Sequence, residues 1–83
     1  MLTLRQIEII RAIMVTGTVA GAARLLNVSS PGISRAMKHA EASIGVKLFN
    51  RRGGRYSPTA QANGWVATYL AAKSRGVMVN ASL

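Results

Sequence analysis

The stretch from Thr18 to Lys38, TVAGAARLLNVSSPGISRAMK, constrains this chain more than any other. It reads as two short helices joined by a tight turn. Thr18 caps the first helix, Val19 to Leu26, with a hydroxyl suited to accept a backbone N–H. Asn27 is placed for the left-handed turn conformation that asparagine tolerates better than most residues. Ser29 or Ser30 caps the second helix, and Pro31 falls in its first turn, where a missing N–H costs nothing. Steeply crossing helices need a small residue at the crossing, here Ala23, and apolar plugs, here Ala22, Leu26, Val28 and Ile33. The second helix runs to about Ile44, and Gly45 stops it. Its inner face is Ile33, Met37, Ala40 and Ile44, at helical spacing. That leaves Ser29, Ser30, Pro31, Ser34, Arg35 and Lys38 to face outward.

The flanking segments fit the same plan. Thr3 to about Val15 reads as a helix, with Thr3 and Gln6 forming a capping box. Leu4, Ile7, Ile10, Ile13 and Met14 make one apolar stripe, Ile9 lies off it, and Gly17 ends the helix. After Gly45, Val46 to Phe49 looks strand-like, residues 50–55 (NRRGGR) form a turn, and Tyr56 begins a returning strand. Ser57 and Pro58 then read as the cap and first residue of a last helix, running from Ala60 to about Lys73. Gly64 weakens that helix, and residues 74–83 read as an ambiguous end. The expectation is a mainly α domain: three helices, a short two-stranded wing and a long C-terminal helix.

Charge narrows the partners. The 83 residues carry 11 Lys and Arg against 2 Asp and Glu, a formal net charge of +9. Such an imbalance points to a polyanion, most often nucleic acid, or to an anionic membrane surface. A membrane-active helix would spread its cations along one long amphipathic face. Here they concentrate around the second short helix and the glycine turn, which favours nucleic acid. No apolar run approaches the roughly 18 residues of a membrane span. Arg5, Glu8 and Arg11 interrupt what would be the apolar core of a signal peptide. The absence of cysteine fits a reducing cytosol, and the location expected is the cytoplasm, on the nucleoid.

The outward residues suit duplex DNA. The major groove, about 12 Å wide, admits a helix whose N-terminal side chains reach base edges. A guanidinium at Arg35 can grip O6 and N7 of guanine together, and Ser30 and Ser34 can bond bases or phosphates. Pro31 offers an apolar edge to a thymine methyl, and Lys38 suits a phosphate. In the turn, Arg52 and Arg55 flank Gly53-Gly54 and suit the backbone or a narrow minor groove. Arg51 alternates to the other side and is expected to turn inward to Glu41. His39 and Glu41 are two apart on a helix and point different ways, so they make no catalytic pair. Neither a metal cluster nor a phosphate loop stands out, and no enzyme or cofactor is expected. A non-specific architectural DNA binder remains the alternative to a sequence-specific one. RNA is disfavoured, because no aromatic pair offers a stacking platform.

Over residues 2 to 62 the chain closely resembles the N-terminal DNA-binding domain of LysR-type transcriptional regulators. The resemblance rests on Leu4-Arg5-Gln6-Ile7, Gly17-Thr18, Ala22-Ala23 with Leu26, and Val28-Ser29-x-Pro31-x-x-Ser34-Arg35. It continues through Glu41, Gly45-Val46, Leu48-Phe49-x-Arg51 and Ser57-Pro58-Thr59. It implies a winged helix-turn-helix over residues 1–57 and a linker and dimerisation helix over residues 58–83. It places Ser30, Pro31, Ser34, Arg35 and Lys38 in the groove, Thr18 at a phosphate-contacting helix start, and Arg52 in the wing. It also implies a homodimer through the last helix, where Val66, Tyr69, Leu70 and Val77 form an apolar side and Trp65 adjoins it; the alternative is that this helix folds back on its own domain, with Ile9 beneath it. Ser30 stands where the family usually has glutamine, Ala40 where it has leucine, and Ala60 where it has glycine. The effector-binding domain of the family has no counterpart within these 83 residues, so no small-molecule effector site is expected here.

Overall fold

A computed structural model describes residues 2–76. Its elements are α1 (Leu4–Thr16), α2 (Val19–Leu26), α3 (Ser30–Ile44), β1 (Phe49–Arg52), β2 (Arg55–Pro58) and α4 (Ala60–Ser74). Helix α1 is the hub, packing against α2, α3, α4 and β2. Its Ile10 and Ile13 have no exposed surface, and they share one core with Ile33 of α3 and with Leu48 and Phe49. Ile9, off the main stripe in sequence, is also buried. Ala62, Val66 and Tyr69 of α4 belong to the same core. Val77 and the rest of the tail from residue 77 lie outside the described residues.

Local chemistry sets the helix ends. The Thr3 hydroxyl accepts the Gln6 N–H at 3.1 Å while the Gln6 side chain accepts the Thr3 N–H at 2.9 Å. Gly17, Asn27 and Gly45 all take left-handed backbone, with φ of 78°, 58° and 72°. Each stops a helix where a side-chain-bearing residue would usually be strained. Ser29, rather than Ser30, caps α3, accepting the Gly32 N–H at 3.1 Å.

The tight α1–α2 corner depends on a residue the sequence reading passed over. A Cβ on Gly21 would lie 2.6 Å from the Thr16 Cβ. Thr16 is held there because its hydroxyl donates to Ala12 O at 2.8 Å and to Thr18 O at 3.1 Å. Ala22 and Ala23 are buried at the crossing as expected. Val28 is not the core plug that the spacing suggested, since it is 39% exposed. Left-handed Asn27 turns the chain outward, and what Val28 contributes is its N–H, donated to Ala23 O at 2.9 Å.

The wing departs from the sequence reading in register. Val46 to Leu48 is not strand, because these residues spend their backbone elsewhere. The Leu48 N–H donates to the Glu41 carboxylate at 2.8 Å, and the Lys47 and Leu48 carbonyls accept from Thr59. Pairing begins at Phe49, opposite Pro58, and ends at Arg52 opposite Arg55. Gly53 and Gly54, both at positive φ, close a two-residue hairpin. Such a turn makes Arg52 and Arg55 a hydrogen-bonded pair, so the next pairs alternate. Pro58 therefore falls where no N–H is needed. It ends β2 instead of opening a helix, and Thr59, not Ser57, caps α4, accepting the Ala62 N–H at 3.3 Å. Arg51 does not reach Glu41 either. Its guanidinium lies over the Tyr56 ring, 5.3 Å from the centroid, while Tyr56 meets Phe49 edge-on at 6.0 Å.

Two glycine substitutions should move stability in opposite directions. Gly21→Ala should destabilise by about 1–3 kcal/mol through overpacking, despite alanine's better helix propensity. Gly64→Ala, where an added Cβ meets nothing within 4 Å, should stabilise by about 0.5–1 kcal/mol. Urea unfolding of both variants checks the pair.

Candidate nucleic-acid interface

Rotation of α3 about its axis is fixed from within. Ile33, Met37 and Ala40 are buried, which turns Ser30, Pro31, Arg35 and Lys38 to solvent. Ser29 is exposed at the helix start, and Ser34 is half-buried at the edge of the outward face. The sequence-derived candidates on this helix thus fall on one side. Its hydroxyls cluster near the N-terminus and its cations lie one and two turns on. Hydrogen-bond donors and cations suit base edges and phosphates.

The wing presents a second group. Cross-strand pairing places Asn50 with Ser57 and Arg52 with Arg55 on one face of the ribbon. Arg51 lies on the opposite face with Tyr56. Lys47, just before β1, joins Asn50, Arg51, Arg52 and Ser57 around an open basin. Sequence reasoning missed Lys47, because it lies outside the strand that gives the wing its alternation.

The wing is anchored to the helix-turn-helix. The alternation that frees Pro58 also points the Tyr56 N–H away from β1, and it donates to Gly17 O at 2.9 Å. The Arg55 guanidinium lies over Gly17, so closely that any Cβ there would collide with it. Gly17 therefore serves twice, as the left-handed cap of α1 and as the floor beneath Arg55. Thr18 is the next residue, with its hydroxyl accepting the Gly21 N–H at 2.9 Å. Thr18 and Arg55, separate candidates in sequence, thus both lie at the Gly17 corner.

The proposed dimer residues divide. Val66 and Tyr69 are buried in the chain's own core. Trp65 is half-buried and Leu70 is 38% exposed. Between these two flanks, Gly64, Ala67 and Ala71 present a small-residue outer face on α4.

Residues 4–63 match the family described as bacterial regulatory helix-turn-helix proteins, lysR family. The chain belongs to the LysR family. Among its relatives is the HTH-type transcriptional regulator DgcR of a Pseudoalteromonas species, 47% identical over 60 residues, or 72% of this chain and 21% of that protein. The transcriptional activator protein LysR of Escherichia coli K12 is 48% identical over 58 residues, or 70% of this chain and 19% of that protein. The chain therefore spans about a fifth of the length of these curated relatives. Both relatives are named as regulators of transcription. Among solved structures, the DNA-binding domain of CbnR in complex with DNA superposes with a TM-score of 0.74 at 31% identity, covering 90% of this chain and 92% of that one. The DNA-binding domain of BenM on benA site 1 DNA shares the fold, with a TM-score of 0.79 at 20% identity over 89% of this chain and 83% of that one. The winged helix-turn-helix expected of a LysR domain is thus the fold observed.

Two adjacent serines should separate by role. Ser29→Ala should cost about 1 kcal/mol of stability as a lost helix cap. Ser30→Ala should stay within about 0.5 kcal/mol of wild type, since its side chain caps nothing. Thermal melts followed by circular dichroism check both.

Proposed function

We propose that this chain binds double-stranded DNA sequence-specifically, as the reading domain of a bacterial LysR-type transcriptional regulator. The carrying observation is the outward face of α3, where Ser30, Pro31, Arg35 and Lys38 are exposed while the opposite side is locked into the core. In this reading α3 enters the major groove. Arg35 takes a guanine edge, Ser30 and Ser34 reach bases or phosphates, and Lys38 holds the backbone. Ser29 and Thr18 present helix starts to phosphates. Arg52, with Arg55 and Lys47, lays the wing along the backbone or minor groove. The likeness to the DNA-bound CbnR domain supports this placement.

Two copies would pair through α4 and present two α3 helices to a two-fold symmetric site. The small outer face of α4 permits close approach, with Trp65 and Leu70 as anchors. Val66 and Tyr69 hold the helix in place from beneath. The site of action is the cytoplasm, on the nucleoid. No helix among the described residues is long and apolar enough to cross a membrane.

The charge of +9 also suits an architectural protein that ignores sequence, and mutation separates the two readings. Arg35→Ala should lower affinity for the preferred site by about 1–3 kcal/mol and relax the choice at one base. Arg52→Ala should weaken all sites alike and reduce the salt slope by about one phosphate contact. Titrations of preferred and scrambled duplexes over a salt series measure both. An equal loss on every duplex for Arg35→Ala would favour the architectural reading.

A further inference from the structure

Val15 and Leu25 are 67% and 58% exposed, the most exposed large apolar side chains among the described residues. Both line one open groove of about 490 Å³ between α1, α2 and α4. Ala12, Val15, Leu25 and Leu26 give it an apolar floor, and Tyr69 gives it an aromatic wall. Arg5, Arg11 and Lys73 stand along its edge. The acid in the groove, Glu8, pairs with Arg5 at 3.6 Å. The Lys73 ammonium lies over the Tyr69 ring, 5.5 Å from its centroid. Arg11 and Lys73 have no carboxylate partner among the described residues. No residue of α3 or of the wing lines the groove.

We propose that this groove docks an acidic amphipathic helix of a partner protein, leaving the DNA-facing surface free. An apolar floor edged by cations complements a helix with leucine-like residues on one side and carboxylates on its flanks. DNA is a poor occupant, because phosphates gain nothing from Val15 and Leu25. A second copy of this chain is also a poor occupant. It carries only 2 acidic residues among 83. Of these, Glu8 sits in the groove itself and Glu41 holds the Leu48 N–H. A second copy would therefore set cations against cations. The α4 face proposed for pairing, Gly64, Ala67 and Ala71, is separate from this groove. Docking here does not depend on how α3 reads DNA.

The test uses a labelled helical peptide of about 18 residues, with leucines at i, i+3, i+4 and i+7 and glutamates between them. A control peptide has lysines in place of the glutamates. Fluorescence anisotropy follows binding to the whole chain, with and without saturating duplex. The glutamate peptide should bind in both conditions and the lysine peptide in neither. Leu25→Asp and Arg11→Glu, both at exposed positions, should each weaken binding by about tenfold or more. Arg52→Glu makes the same charge change in the wing and should leave peptide affinity within about twofold. Failure of the glutamate peptide to bind the wild-type chain overturns the proposal. So does an equal loss with Arg52→Glu and Arg11→Glu, which would mean bulk attraction, or binding that duplex abolishes. Sedimentation of the wild-type chain and of Leu25→Asp adds one more criterion. Self-association that the substitution removes would assign the groove to a second copy and overturn the proposal.

Discussion

Burial of Ile33 fixes the rotational phase of α3, and the outward face of that helix follows from it. Ile33 has no exposed surface and meets a core that includes Ile10 and Ile13, equally enclosed. Turning the helix by one residue would expose Ile33, at a cost of about 1.5–3 kcal/mol. It would also carry polar and charged side chains from the outer face toward an apolar interior that offers them no partners, a larger penalty. The outer face is thus set by what the inner face cannot give up. None of the outward residues needs a contact of its own to be held in position.

The wing is tied to the same frame at a single point. Gly17 ends α1, accepts the Tyr56 N–H and lies under the Arg55 guanidinium, and the next residue starts α2. Thr59 ties the other end of the wing to Lys47 and Leu48. Two surfaces far apart in sequence, Ser30 to Lys38 and Asn50 to Arg55, are therefore presented by one rigid unit. A guanidinium at Arg55 can both brace the wing and face an anion, since it remains exposed.

Structure set by neighbours in sequence was legible in advance. The Thr3–Gln6 box, the left-handed Gly17, Asn27 and Gly45, and the Thr18 cap all depend on residues within four positions. The inner face of α3 was equally plain, because helical period alone selects Ile33, Met37 and Ala40. What depended on distant partners was not legible. The strand begins at Phe49 because Glu41 and Thr59 occupy the backbone of Lys47 and Leu48. Thr59 rather than Ser57 caps α4 because the hairpin register carries Pro58 into the ladder. Arg51 stacks on Tyr56, a contact visible only once cross-strand pairing is known. The outward side chains of α3 were named correctly as a face, whereas Lys47 was missed for want of any periodic signal. On α4, periodicity found the apolar side but could not choose between a partner copy and the chain's own core, and Val66 and Tyr69 are absorbed by the latter.

Sequence selectivity is read by enrichment. Random duplexes are enriched on the purified chain at low and high salt, and the bound pools are sequenced. A fixed helix face carrying Arg35 predicts a motif with a strongly preferred guanine, in two inverted copies, that persists as salt rises. A bound pool with the base statistics of the starting library at every salt concentration would show that α3 does not read base sequence.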